Sequence, residues 1–284
     1  MENIQLLKTT SFDTIFEAFN EAFSDYEVQV TKDELKVMLT RRGFLPELSF
    51  GAFDNGKLVS FTLNGIGNFC GIKTAYDTGT GTLKEYRGKG IASKIFNYSI
   101  PYLKEAGVSQ YLLEVLQHNT NAVSVYCKLG FEVSREFCYF KQSASEVVLA
   151  DKPLQNGYTL QNITLEHKER MMEFCDFAPS WQNSFEAVSR CLADFTITGA
   201  FDQQALIGYC IFEPNSGDIT QIAVDKAYRR KGIASALINE ITKHNRYSSI
   251  KAINTEAPCE PITAFLTSKN ITQLGKQYEM IKPL

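Results

Sequence analysis

"YRGKGIAS" occupies residues 86–93 and "YRRKGIAS" occupies residues 228–235, 142 positions later in a chain of 284. Seven of the eight residues agree, and the separation is half of the length, so a whole domain reads as duplicated. At about 150 residues per domain the length by itself also suggests two. Each half is long enough to bury its own core without metal or disulfides. In both copies a strand pattern runs into the octapeptide and a helical pattern leaves it. A helix start carries unpaired N–H groups and the positive end of the dipole, which together suit a phosphate. Gly88, Gly90 and Gly232 allow the backbone to approach a ligand closely, and Arg87, Lys89, Arg229 and Lys231 add positive charge. Two sites for a phosphate-bearing ligand are expected. A Walker loop is excluded because each lysine precedes its glycine, and "GTGTLK" lacks the third glycine of a dinucleotide fingerprint.

Apolar residues make up 44% of the chain, within the globular range. A net charge of −3 argues against a nucleic-acid binder, which carries a basic domain or stripe. Seven cysteines with no C-x-x-C pair read as reduced thiols rather than a disulfide framework. The start "MENIQLLKTT" has no signal organisation, and no apolar run approaches the roughly 18 residues of a membrane span. Three scattered histidines give no metal-ligand spacing, so no metal is expected. The expectation is a cytoplasmic protein without nucleic-acid or membrane partners.

Phe12, Ile15, Phe16, Phe19 and Phe23 form one helical stripe, and Thr31 with Glu34 opens a second helix as a capping box. A hairpin turns at Asp54-Asn55-Gly56, and a Thr/Gly-rich strand covers Ile72 to Leu83. The helix after Gly90 is expected to kink or end at Pro101. "QYLLEVLQ" is a buried strand, "NAVSVYCKL" a short helix closed by Gly130, and "FEVSREFCYF" a final strand or hairpin. The second half repeats this order: two helical stretches, a hairpin across "AFDQQALIGYCIF", the strand "DITQIAV", the octapeptide, a helix, a strand, a helix and a terminal strand. The segment 143–157 is the expected linker, between an N-terminal domain at 1–142 and a C-terminal domain at 158–284.

Arg87-Gly88-Lys89-Gly90-Ile91-Ala92 and Arg229-Arg230-Lys231-Gly232-Ile233-Ala234 both resemble the R/Q-x-x-G-x-G/A motif of the GNAT acetyltransferases. In the first half, Asn119-Thr120-Asn121-Ala122, Tyr126 and Lys128-Leu129-Gly130-Phe131 match every position of that family's N-x-x-A-x-x-x-Y-x-K-x-G-F block. The resemblance covers nearly all of 1–142 by element order and two motifs, and the second half by one motif and element order. It implies an α/β fold of two tandem GNAT-like domains, each a mixed, mostly antiparallel sheet flanked by helices and splayed between its fourth and fifth strands. It implies acetyl-CoA as co-substrate, with pyrophosphate on Arg87 to Ser93, pantetheine along Thr82 and Leu83, and Asn119 as a further cofactor-binding residue. A second such site would use Val224 with Arg229 to Ala234.

Acetyl transfer to an amine needs a base for the nitrogen and an acid for the departing sulfur. The resemblance gives the acid role to Tyr126, which could otherwise be a core tyrosine. Glu114 is the base candidate: a carboxylate between apolar residues in a strand is costly unless paired or facing a wet cleft. Ribosomal-protein acetyltransferases of this family have a similar strand glutamate twelve residues before the tyrosine. A structural carboxylate bound to an arginine or a backbone group is the other reading. Asp25, Tyr26, Tyr76 and Asp77 are candidates to face the substrate. In the second half, aligning Asn270-Ile271 with Gly130-Phe131 puts Leu266 at the Tyr126 position and Asn254 at the Glu114 position. An ungapped offset from the octapeptide gives Ser268 and Glu256 instead, and neither alignment supplies a tyrosine. The expected activity is N-acetyltransfer to a primary amine of a small molecule or peptide, catalysed by the first half. A non-catalytic CoA-binding regulator or sensor is the alternative. The halves could pack as an internal pseudo-dimer, or the chain as a homodimer.

Overall fold

The computed structural model of the protein describes residues 3–25, 29–150, 154 and 157–284. It divides into two compact units, Met1–Ser134 with Tyr278–Leu284, and Arg135–Gln277. The first unit contains strands β1 (Asn3–Leu6), β2 (Phe50–Asp54), β3 (Lys57–Phe69), β4 (Ile72–Thr82) and β5 (Gln110–Leu116). Its helices are α1 (Phe12–Ala22), α2 (Lys32–Arg42), α3 (Ile91–Glu105) and α4 (Thr120–Lys128). The chain then enters β6 (Glu132–Ser143). The second unit continues with β7 (Tyr158–Asn162), α5 (Lys168–Phe174), α6 (Phe185–Arg190), β8 (Thr196–Asp202), β9 (Ala205–Glu213) and β10 (Asp218–Val224). It ends with α7 (Ile233–His244), β11 (Ser249–Glu256), α8 (Glu260–Ser268) and β12 (Thr272–Pro283).

Each unit has the same strand order. In the first, β1 to β5 follow in sequence and β12 lies beside β5. In the second, β7 to β11 follow in sequence and β6 pairs antiparallel with β11. The last strand of each half of the sequence therefore supplies residues to the other unit: Tyr278–Leu284 to the first and Arg135–Ser143 to the second. Segment 143–157 begins with packed residues. Val147 is buried with Ile241 and Ile250, and Ala150 exchanges hydrogen bonds with Asn239. Residues 151–153 and 155–156 lie outside the described residues.

Two hairpin-linked antiparallel pairs precede one parallel pair in both units, and the parallel pair is short. β4 meets β5 only from Thr74 to Tyr76 against Gln110 to Leu112, and β10 meets β11 only at Asp218 and Lys251. Beyond those residues the strands part, giving the splayed mixed sheet. The two units even share a bulge: Thr78 in β4 and Thr220 in β10 are skipped in the register, again 142 positions apart.

Local chemistry explains the helices. Ser11 caps α1 through its hydroxyl, and Thr31 and Glu34 form both bonds of a capping box on α2. Pro101 neither ends nor interrupts α3, which runs on to Glu105. Phe96 and Leu103, on either side of it, are buried in one cluster with Tyr111, Leu113, Phe131 and Met280, and this packing offsets the missing N–H bond. The other cluster of the first unit joins Ile15, Leu35, Phe50 and Phe61. Strands β1 and β7 alternate polar and apolar residues but are only four and five residues long, too short to stand out in the sequence. Among the described residues, no helix is long and apolar enough to cross a membrane.

Candidate active site

The repeated octapeptide makes the same contacts twice. Tyr86 donates to Asp54 Oδ2 at 2.8 Å, and Tyr228 donates to Asp202 Oδ2 at 3.3 Å. Arg87 donates through Nε to Thr82 O at 3.1 Å and through Nη2 to Ala22 O at 2.7 Å, while Nη1 reaches Asp25 Oδ2 at 2.9 Å. Arg229 repeats this with Val224 O at 3.0 Å, Phe174 O at 3.4 Å and Asp176 Oδ1 at 2.9 Å. Each guanidinium thus clamps the end of a strand to the end of the first helix of its unit. Lys89 and Lys231 lie over the rings of Tyr86 and Tyr228, at 4.7 and 4.6 Å. Asp25 is therefore an arginine partner, and hydrogen bonding from Arg87 holds its carboxyl below the usual range. Tyr26 lies outside the described residues.

Between these anchors the backbone turns through left-handed residues, Gly88 (φ 76°) and Gly90 (φ 72°), and Arg230 (φ 65°) and Gly232 (φ 84°). Gly90 and Gly232 are the N-caps of α3 and α7, and neither helix start receives a side-chain cap. Nothing lies within 4 Å of where a Cβ would stand on Gly88, Gly90 or Gly232. Open space therefore faces a set of unpaired helix-start amides, which is the arrangement an anionic group requires. Thr82 and Leu83 lead into this turn, and Leu83 N–H is bonded to Val59 O at 3.0 Å. Asn119 spends its side chain on capping α4, accepting from Ala122 N at 3.2 Å.

The other candidates of the first unit gather where β4 and β5 part. Asp77 is the first β4 residue beyond the paired stretch, and Glu114 stands two residues beyond Leu112 on β5. Asp77 accepts from Gly79 N at 3.0 Å, Thr80 Oγ1 at 2.8 Å and Tyr126 Oη at 3.2 Å. Burial pushes its carboxyl up, against the bonds from Thr80, Tyr126 and Gly79 and the charge of Arg42. Tyr76 is buried, and its hydroxyl is bonded to the half-buried Glu114 carboxylate. Burial first, and then the Glu114 charge, pushes the Tyr76 phenol well above its usual range. Tyr126 sets its ring edge-on to Phe131, with centroids 5.7 Å apart. Behind the cluster, Tyr111 donates to Asn64, and burial pushes that phenol well up. The fold thus assembles two acid–phenol pairs, Tyr76 with Glu114 and Tyr126 with Asp77.

The second unit has the frame without this chemistry. Phe131 N–H bonds Tyr126 O and Ile271 N–H bonds Leu266 O, both at 3.0 Å, so Leu266 occupies the Tyr126 position. The same register puts Asn254 opposite Glu114, in a left-handed conformation (φ 57°) within an irregular stretch of the β11–β6 pairing. The shared bulge puts Ile219 opposite Asp77. Ile219, Asn254 and Leu266 line a cavity of about 550 Å³ that also reaches Arg229 and Gly232. Its wall includes Cys175, whose thiol lies 3.2 Å from Tyr209 Oη, which in turn donates to Gln221 at 2.6 Å. Burial pushes up both the Cys175 thiol and the Tyr209 phenol, so these groups stay neutral.

Asp54, Asp176, Asp202, Asn64 and Tyr111 are partners that sequence reasoning missed. One signal was present: "GAFD" occurs at 51–54 and again at 199–202, each ending in the aspartate that receives the octapeptide tyrosine.

Residues 12–131 match a model described as the acetyltransferase (GNAT) family, and residues 193–267 match one described as an acetyltransferase (GNAT) domain. N-alpha-acetyltransferase MAK3 of Arabidopsis thaliana is 34% identical over 86 residues, which is 30% of this chain and 45% of that protein. N-alpha-acetyltransferase 30 of Schizosaccharomyces pombe is 34% identical over 87 residues, 30% of this chain and 58% of that protein. The chain thus spans about half the length of these curated relatives. A solved tandem GNAT protein from the clavulanic acid biosynthesis pathway superposes with a TM-score of 0.76 at 12% identity, over 100% of this chain and 98% of that one. A GCN5-related N-acetyltransferase from Sphaerobacter thermophilus gives 0.70 at 12% identity, over 99% and 95%. At these identities the two structures establish a common fold.

Proposed function

This chain belongs to the GNAT acetyltransferase family in tandem form, and from that premise we propose that its first unit transfers the acetyl group of acetyl-CoA to a primary amine. One observation carries the reading: Asp77, to which Tyr126 is bonded, is the first β4 residue beyond the pairing with β5, and Glu114 lies two residues beyond that pairing on β5. The open helix-start amides of α3, with Lys89 beside them, suit the pyrophosphate, and the side of β4 that β5 no longer pairs beyond Tyr76 suits the pantetheine amides. The Arg87 side chain serves by holding the loop in shape. Bound acetyl-CoA supplies a thioester whose carbonyl carbon accepts the amine lone pair, while the C–S bond breaks with its electrons left on sulfur.

The protein's own task is to move protons. Glu114 takes one from the nitrogen, and Tyr126 gives one to the sulfur. Solvent then returns a proton to Tyr126 and removes one from Glu114. An alkyl amine has a pKa near ~10 and a peptide α-amine near ~8, so the α-amine asks less of the base. The N-alpha-acetyltransferase relatives make a peptide α-amine the first acceptor to test, with small-molecule amines beside it. Direct attack within a ternary complex accounts for a site with both an acid and a base.

A second reading concerns the second unit, where the cavity at the repeated loop favours CoA binding without turnover through Val224, Arg229, Arg230, Lys231, Gly232, Ile233 and Ala234.

Thiol release from acetyl-CoA, measured across a panel of peptides and small amines, tests the activity. Tyr126→Phe is expected to lower kcat by roughly 10²-fold or less with acetyl-CoA affinity unchanged. Glu114→Gln should depress the rate most at low pH, where the amine is most protonated. An unchanged kcat in Tyr126→Phe, with chemistry rate-limiting, removes the tyrosine from the mechanism.

A further inference from the structure

Tyr126 is bonded to a carboxylate of its own unit, which the transfer reaction as described above does not require. We propose that Asp77 is the positioning residue for Tyr126: it fixes the phenol at the parting of β4 and β5 and keeps it protonated until the sulfur takes the proton. This rests on the reading of Tyr126 as the acid.

Three observations support it. First, Asp77 is itself held firmly, by Gly79 N on one oxygen and by Thr80 Oγ1 on the oxygen that Tyr126 reaches. Thr80 is also bonded to Thr62 at 3.2 Å, which ties the carboxylate to β3. Second, a bulge at Thr78 directly follows Asp77, and bulges of this kind occur beside functional sites, where they re-aim neighbouring side chains. Third, the second unit keeps the bulge and the helix but has lost both members of the pair. Ile219 stands for Asp77 and Leu266 for Tyr126, both within one apolar cluster. Both positions are apolar together in the second unit, as expected of two polar groups that work as a pair.

The electrostatic consequence has a definite sign. An ionised carboxylate beside a phenol disfavours a second negative charge, so tyrosinate forms only at higher pH. The other charged or titratable groups near the pair are Arg42, from the end of α2, which donates to Thr78 O at 3.0 Å, then Tyr111 on β5 and Tyr76 with Glu114. Tyr111 and Tyr76 are held as neutral phenols by burial, so Asp77, Glu114 and Arg42 set the field.

The test is the pH profile of kcat for the full chain, its Asp77→Asn and Tyr126→Phe variants, and the double variant. The wild type is expected to show a basic limb that Tyr126→Phe abolishes. Asp77→Asn should move that limb to lower pH by about one unit, with the KM for acetyl-CoA unchanged. In the Tyr126→Phe background the same substitution should do nothing further. A basic limb that survives Tyr126→Phe, or no basic limb at all, removes Tyr126 as the acid and takes this proposal with it. A limb abolished by Tyr126→Phe but unmoved by Asp77→Asn overturns the proposal alone. If Asp77→Asn does not fold, Asp77→Ser, smaller and equally uncharged, carries the same expectation.

Discussion

Replacing Arg87 by methionine removes every donor of the guanidinium and keeps most of the aliphatic stem. Two of the lost bonds go to main-chain carbonyls, Thr82 O at 3.1 Å and Ala22 O at 2.7 Å. At a net of about 1 kcal/mol each, their loss should cost about 2 kcal/mol. For a domain of this size that lowers Tm by roughly 4–8 °C. The exposed ion pair with Asp25 adds little once solvent screens it, but it adds a pH signature. Arg87 holds the Asp25 carboxyl below its usual range, so the stability from that pair is complete above the unfolded value of about pH 3.9. It is lost as the pH falls through the lower folded value, so wild type and variant should differ less in strong acid. Urea denaturation for stability and calorimetric titration for acetyl-CoA, run on the same samples, separate clamp from ligand. Arg229→Met is the internal control, and with one of its bonds at 3.4 Å it should lose somewhat less, about 1.5 kcal/mol. A variant at Arg87 that unfolds like the wild type yet binds acetyl-CoA at least tenfold more weakly would refute the reasoning. The guanidinium would then be a phosphate ligand, and its bonds to Thr82 and Ala22 incidental.

Charge reversal should separate the two loops. Lys89→Glu is expected to weaken acetyl-CoA binding and abolish turnover together, whereas Lys231→Glu should spare most turnover even if it removes a second bound CoA, as steady-state rates and binding stoichiometry will show. The left-handed position of the loop offers a stability test. Arg230→Gly should stabilise the second unit by about 0.5–1 kcal/mol, because the glycine removes the penalty of φ 65° while adding some unfolded-state entropy. Gly88→Ala should cost the first unit about 1 kcal/mol by chemical denaturation, since a methyl group there meets nothing and only the backbone is strained.

Much of this protein was written locally. The helix stripe from Phe12 to Phe23, the Thr31–Glu34 capping box and the Asp54-Asn55-Gly56 turn are all decided by residues within a few positions of one another, and they fold as read. The octapeptide and its copy announced a duplicated basic, glycine-containing turn into a helix, because glycine freedom, positive charge and a helix start are all properties of a short segment. Tyr126 and Glu114 stood out for the same reason, as a motif tyrosine and a lone carboxylate in an apolar strand.

What only the tertiary structure decided is the set of partners far away along the chain. Arg87 reads as a phosphate ligand until Ala22 and Asp25 arrive beside it from the end of α1. Asp77 reads as one of several candidates to face the substrate until the fold brings it to Tyr126, 49 positions further along. Each last strand is divided between the compact units, which no periodicity could reveal, because a strand's alternation states which face is buried and not which neighbour pairs with it. A sequence specifies its local geometry through short-range sterics and capping. The chemistry of a site depends on which side chains packing brings within about 3 Å, and that is a property of the whole fold.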